Sequence, residues 1–183
     1  MYTGHVAVAL AARATRRDLP LWVLVVAAQG CDWAEALLDI AGAGTASSLW
    51  SHAFPFVVLA ALAAGVLVAL WKRSFGAALL VAAVYLSHPL ADLVTGYKPL
   101  WLGGPPLGLH FIQRPVADLI VQASLCVIGW AIYVRSLPPS RPRRLLTSAP
   151  LALLLSFQAM SDLVLYARSP AARDTLGEAS ARN

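Results

Sequence analysis

The chain has 183 residues, of which 59% are hydrophobic and only 13% are charged. Soluble globular domains carry about a quarter charged residues, so this composition excludes an ordinary soluble domain and indicates an integral membrane protein. The net charge of +5 does not indicate nucleic-acid binding, because the basic residues form short clusters between apolar runs.

Apolar runs separated by proline, glycine and basic residues predict an all-α membrane helical bundle, with about five full spans plus a short N-terminal helix. The six helices are expected at about 3–14, 19–40, 53–71, 75–95, 115–135 and 150–167. Residues 1–167 are expected to form a single membrane-embedded domain. The polar tail 168–183 is expected to be disordered.

The segments that connect the helices predict how the chain is oriented in the membrane. The segment 41–51 is rich in glycine, serine and threonine, 97–114 is rich in glycine and proline, and 138–150 is a basic, proline-rich connection. Positive charge in short loops is concentrated on the side that follows the first, third and fifth helices, which predicts that this side is cytoplasmic. The segments 41–51 and 97–114 then face the exterior of what we expect to be a bacterial inner membrane.

The segment 87–92, Ser-His-Pro-Leu-Ala-Asp, places His88 and Asp92 four residues apart in an apolar run. On a helix these two side chains share one face. Such groups are costly in a membrane unless they are paired, bound to metal or functional. Asp32 lies at a similar depth, because the second and fourth helices run in the same direction. His52 stands at the exterior start of the third helix, so all these groups fall in the outer half of the membrane.

Imidazole and carboxylate are the usual ligands of catalytic zinc, which keeps a coordination position open for water. Manganese and iron also accept such ligands. The sequence therefore predicts a divalent metal, most simply zinc, with the following metal-ligand candidates: His5, Asp32, His52, His88 and Asp92. The catalytic candidates are Asp32, His88, Asp92 and Glu35, the last as a general base or a group that orients a ligand.

Several of these residues also fit roles that need no metal. His5 fits an interfacial histidine, and His52 with Ser51 fits a helix cap. Asp92 fits a hydrogen bond to Thr95 or Lys98. His110, in the exterior loop, either reaches the pocket or lies on the surface.

Four short motifs occur in a fixed order: Thr3-Gly4-His5, Asp32, Trp50-Ser51-His52 and the segment 87–92. Their order and spacing resemble the membrane-bound metal-dependent hydrolase family over about residues 1–135. The resemblance implies a metal site built from the five ligand candidates, and a distant likeness to zinc-dependent phospholipase C. The family often has Pro-Asp-x-Asp in the second helix, whereas residues 30–34 here lack the proline and the second carboxylate, leaving one ligand fewer for a two-metal site.

The expected function is a metal-dependent hydrolase that acts on an ester or phosphoester of an amphipathic or lipid-like substrate, with membrane lipid as its surroundings and no nucleic-acid partner. The alternatives are a small transporter, or an ion- or proton-binding membrane protein without catalysis, and a structural protein whose polar groups bond across helices.

Overall fold

The fold is described from a computed structural model, which covers residues 2–44, 50–96, 98–102, 104–109, 111–138 and 141–168. The long helices are α1 (Tyr2–Thr15), α2 (Leu21–Ile40), α3 (Phe54–Lys72), α4 (Phe75–Thr95), α5 (Pro115–Ser136) and α6 (Arg141–Arg168). Residues 50–52 form a further helical turn before α3. The expected all-α class is confirmed. The tail beyond residue 168, residues 45–49 of the 41–51 loop, and His110 lie outside the described residues.

Among the described residues, four helices, α2 to α5, are long and apolar enough to cross a membrane. The expected count of about five full spans is not confirmed, because the apolar part of α6 covers only Ser148–Val164. Large apolar side chains such as Leu70 and Phe75 are exposed on the outside of the bundle, 72% and 81% respectively. Such a surface is expected of helices that face lipid.

The connection expected at 138–150 is wrong in part, because α6 already begins at Arg141. Pro142 stands in the first turn, where a backbone N–H has no intrahelical partner and proline is tolerated. Pro150 lies inside the helix. It removes one backbone hydrogen bond without ending the helix, as proline does in many helices of membrane proteins.

The described residues between α4 and α5 form no α-helix, as the glycine and proline content of this segment predicts. Strands β1 (Lys98–Pro99) and β2 (Pro106–Leu107) pair antiparallel, and Phe111–Gln113 forms a 3-10 turn before α5. The Phe54 N–H donates to the Leu100 carbonyl at 2.8 Å, which ties this segment to the start of α3. This hydrogen bond holds Lys98 near the C-terminal part of α2 and the start of α3.

Although α1 is short, it lies at the centre of the bundle and contacts α2, α4, α5 and α6. Small residues allow this close packing, as is common between helices in membranes. A Cβ atom at Gly129 of α5 would lie 2.4 Å from the Ala7 carbonyl oxygen of α1. The backbones of α1 and α5 therefore touch at this point, and α1 is fixed deep in the bundle with His5 on it.

The turn between α1 and α2 is joined to the start of α4 by a charged group. Arg16 donates to both carboxylate oxygens of Asp18 at 2.9 Å, and to Ser74 Oγ at 3.0 Å. The Arg16 guanidinium lowers the pKa of Asp18 to about 2. Asp18 therefore stays ionised through the whole range of physiological pH.

Candidate metal centre

The bundle brings together side chains that are far apart in the sequence. His5 comes from α1, Asp32 from α2, His52 from the turn before α3, and His88 and Asp92 from α4. The three histidines and Asp92 are each at most 3% exposed. The five residues that the sequence singles out as ligand candidates therefore lie in one buried cluster.

Four of the five form a compact ligand group: Asp32, His52, His88 and Asp92 offer ligand atoms that all lie within 4.8 Å of one another. The His88 Nε2 atom is 3.2 Å from Asp92 Oδ2 and 3.5 Å from Asp32 Oδ1. The His52 Nε2 atom is 3.3 Å and 3.5 Å from the same two oxygens. Atoms bound to one zinc at 2.0–2.2 Å in a tetrahedron are roughly 3.4 Å apart, so these spacings fit a single ion.

A backbone carbonyl of α2 fixes the orientation of the His88 ring by contacting the nitrogen on the side away from the carboxylates. Its Nδ1 atom is 2.7 Å from the carbonyl oxygen of Ala28. Because a carbonyl only accepts hydrogen bonds, Nδ1 carries the proton and donates, and in the neutral ring that metal binding requires, the lone pair of Nε2 faces the carboxylates. The Tyr85 ring of α4 packs against Gly30 of α2, at the place that a Cβ atom would occupy.

His52 is oriented by polar groups on its Nδ1 side. This atom is 2.7 Å from Ser51 Oγ and 3.6 Å from Glu35 Oε2. The nearby carboxylate favours a proton on Nδ1, so the lone pair of Nε2 also faces the ligand group. Ser51 therefore holds the ring of its neighbour, and its expected alternative role as a side-chain helix cap is not needed to explain it.

Glu35 lies beside the ligand group rather than in it. Its two carboxylate oxygens accept hydrogen bonds from Lys98 Nζ at 2.9 and 2.7 Å. The side chains of Asp32, Glu35 and Lys98 are 11%, 22% and 28% exposed. These three residues form the accessible edge of an otherwise enclosed cluster. Lys98, which the sequence offered as a partner of Asp92, forms an ion pair with Glu35.

His5 contacts the opposite oxygens of the two carboxylates. Its Nε2 atom is 3.3 Å from Asp92 Oδ1 and 3.9 Å from Asp32 Oδ2. Its ring stacks on the His88 ring, with centroids 3.8 Å apart and planes inclined by 15°. Neither ring nitrogen has a well-formed hydrogen bond among the described residues. His5 thus belongs to the cluster but lies outside the four-residue group, and its expected role as a ligand stays a prediction.

Two features of the centre carry no signal in the sequence. The Ala28 carbonyl is a backbone group in an apolar run, so no residue type marks it as the partner of His88. The pairing of Glu35 with Lys98 joins α2 to β1, and no fixed spacing relates two such elements. Both depend on how α2, α4 and the strand segment pack.

The donor set itself indicates what the centre can bind. Two neutral imidazoles and two carboxylates, without thiolate, suit zinc, manganese or iron and leave no net charge on a divalent site. No family model, curated protein or solved structure matches this chain. The chemical interpretation therefore rests on the geometry alone.

Proposed function

We propose that this chain is an integral membrane metalloenzyme that hydrolyses an ester or phosphoester bond in an amphipathic or lipid-like substrate. The observation that carries this proposal is the 3.2 Å separation of the Nε2 atoms of His52 and His88. Each of these rings has a partner for its Nδ1 proton, so two lone pairs face each other between two carboxylates. Four electron-pair donors that converge in this way call for a cation.

The four-residue group would hold the ion, and zinc is the simplest choice for a neutral two-histidine, two-carboxylate set. When bound, such an ion supplies a Lewis acid that polarises the substrate and activates water. The Ala28 carbonyl and Ser51 keep the two imidazoles in the orientation that binding requires. Glu35 lies at the accessible edge, where it is placed to accept a proton from water.

The accessible edge suits an amphipathic, lipid-like substrate. Asp32, Glu35 and Lys98 are its partly exposed polar residues, and the Lys98 ammonium is paired with Glu35. The surrounding outer surface is apolar, which suits a substrate that arrives from the plane of the membrane. By the distribution of basic loops, the centre belongs to the outer half of a plasma membrane.

The decisive experiment is metal analysis of the purified protein together with hydrolysis of chromogenic esters and phosphodiesters. We expect stoichiometric zinc and measurable turnover in the wild type, and loss of both in His88→Ala. Asp39→Asn is the matched control, because Asp39 is an exposed carboxylate further along α2. A wild-type protein that binds no zinc, manganese or iron, or a His88→Ala variant that keeps its metal, would contradict the proposal.

A transporter, or an ion- or proton-binding protein without catalysis, is the second candidate. The observation that favours it is a second buried polar cluster, which includes Asp118 of α5 and Asp162 of α6. Intramembrane carboxyls often take part in ion or proton movement. Ion-coupled uptake in proteoliposomes, without turnover of any ester, would favour this candidate over the hydrolase.

A further inference from the structure

A second group of polar side chains is buried where α1, α5 and α6 meet. Its members are Thr3 on α1, Asp118 and Gln122 on α5, and Gln158 and Asp162 on α6. None of them is more than 4% exposed. The proposed hydrolase does not use this cluster, so its presence in an apolar bundle needs its own explanation.

The two carboxyl groups of this cluster share one amide. Gln158 Nε2 donates to Asp118 Oδ2 at 3.3 Å and lies 3.0 Å from both carboxylate oxygens of Asp162. Gln122 Nε2 donates to Asp118 Oδ2 at 2.6 Å. Asp118 and Asp162 are therefore held within reach of each other, across the interface of two different helices.

One carboxylate oxygen of the cluster lacks a hydrogen donor, whereas the amide oxygens are served. The Thr3 hydroxyl lies 2.7 Å from the amide oxygen of Gln158 and 3.1 Å from that of Gln122, and the Gly4 N–H donates to the latter at 3.4 Å. The Asp118 Oδ1 atom is buried and has no hydrogen-bond donor among the described residues. A buried acceptor without a donor is costly, and one additional proton on the carboxyl pair would remove this deficit.

The electrostatic interaction between the two carboxyl groups also favours a proton on one of them. Two neighbouring carboxylates in a medium of low dielectric constant repel each other strongly, so one of them is expected to hold a proton. The side chains that donate to these carboxyls are the amides of Gln122 and Gln158, neither of which carries a charge. Other ionisable groups on the packed elements are the exposed Arg114 at the start of α5, Tyr166 on α6 and His5 on α1, and the positive N-terminus ahead of α1 also acts on Asp118.

We propose that Asp118 and Asp162 form a proton-binding site that holds one proton between their carboxyl groups, separate from the metal centre. The proton supplies the donor that Asp118 Oδ1 lacks and removes one of the two negative charges. Because Thr3 and Gly4 of α1 bond to the amide oxygens of Gln158 and Gln122, the protonated cluster fastens α1 to α5 and α6. Loss of the proton would place two negative charges in this interface and weaken that attachment.

A groove gives small apolar molecules a route to the pair. It has a volume of about 240 Å³ and runs between α5 and α6, where Val116, Leu119, Leu163 and Tyr166 line it beside Asp162. Hydrophobic carbodiimides react with protonated carboxyl groups in membranes. The acid O–H adds across one C=N bond, and acyl transfer from oxygen to nitrogen then gives a stable N-acylurea that retains every atom of the reagent.

The first test is infrared spectroscopy of the purified full-length protein at neutral pH. We expect the C=O stretch of a carboxylic acid, shifted in heavy water, which is lost in the double variant Asp118→Asn/Asp162→Asn and kept in Asp39→Asn. Absence of the band from the wild type, or its persistence in the double variant, would overturn the proposal. So would sodium or calcium bound stoichiometrically to the wild type and lost in the double variant, because a metal cation would then occupy the site.

The second test needs no variant. Wild-type protein is treated with dicyclohexylcarbodiimide at pH 6 and at pH 10, and modified peptides are mapped by mass spectrometry. We expect labelling of Asp118 or Asp162 at pH 6 that falls at least several-fold at pH 10. Failure to label either residue at pH 6, or labelling that does not change with pH, would count against a protonated pair. Both tests are independent of metal binding, so they separate this proposal from the hydrolase.

Discussion

Glu35 and Lys98 form an ion pair at the edge of the candidate metal centre, with Lys98 Nζ 2.7 Å from Glu35 Oε2. The same oxygen is 3.6 Å from Nδ1 of His52. A charged side chain from the strand segment thus positions a carboxylate of α2, which in turn faces a ligand on the turn before α3. If the proposed ion is bound, we expect Glu35 to act on it through His52.

Glu35→Gln is therefore expected to weaken zinc binding by about 10-fold to 100-fold, as is typical when a group that orients a ligand is lost. The amide keeps the size of the side chain but removes its charge. Competition with a chelator of known affinity measures the change. Asp39→Asn on the same helix serves as the control and should bind zinc like the wild type. Equal affinity in Glu35→Gln and the wild type would show that Glu35 does not support His52.

Zinc binding should weaken steeply on acidification. Imidazole must be neutral to bind metal, and the ordinary pKa of histidine is about 6.5. Protons therefore compete with the ion below this pH, and two histidine ligands give a loss of up to roughly 100-fold per pH unit well below it. Chelator competition between pH 5 and pH 8 measures the slope. An affinity that does not change over this range would exclude histidine from the ligand set.

The role of His5 can be separated from that of His88. His5 faces the carboxylate oxygens that point away from His52 and His88, so His5→Ala is expected to keep stoichiometric zinc with a modest loss of affinity. His88→Ala should lose the ion altogether. Metal analysis of both variants after dialysis makes the comparison. If His5→Ala loses its metal as completely as His88→Ala, then His5 is itself a ligand and the group has five members.

Gly129 should be intolerant of any side chain. A methyl group there would overlap the Ala7 carbonyl oxygen. This oxygen belongs to the backbone, so it cannot move aside through a change of side-chain rotamer. Gly129→Ala is expected to cost about 1–3 kcal/mol of stability through overpacking. Thermal unfolding in detergent measures it. Ile128→Ala, one residue earlier on the same helix and 56% exposed, is the control. It should unfold within a few degrees of the wild type, and similar melting of the two variants would refute the close contact.

The orientation in the membrane is open to a labelling test. Cysteine is introduced at Arg17, in the α1–α2 turn, or at Leu102, in the strand segment, both of which are exposed. A membrane-impermeant maleimide added to intact cells should label Leu102→Cys but reach Arg17→Cys only after permeabilisation. The native Cys31 and Cys126 are fully buried and should stay unlabelled. The reverse pattern would place the metal centre in the inner half of the membrane.

The helices were largely predictable, because long apolar runs between breakers specify them without reference to tertiary contacts. The fourth helix, expected at 75–95, is observed at Phe75–Thr95. The sequence predicts the sixth helix only from 150, because prolines in 138–150 indicate a break, whereas α6 begins at Arg141. The effect of a proline depends on its position in the helix. The span count also differed, because composition alone does not set where the apolar part of α6 ends.

The sequence by itself singled out the five residues that the structure brings into one cluster, because a histidine or aspartate in an apolar segment carries a desolvation cost that it must recover by pairing or binding. The sequence could not determine which of those residues form the four-residue ligand group and which lie beside it. Only the tertiary structure placed His5 on the far side of the carboxylates, paired Glu35 with Lys98, and brought Asp118 beside Asp162. Each of these contacts joins separate helices or a helix and a strand, and such distances are set by packing rather than by spacing along the chain.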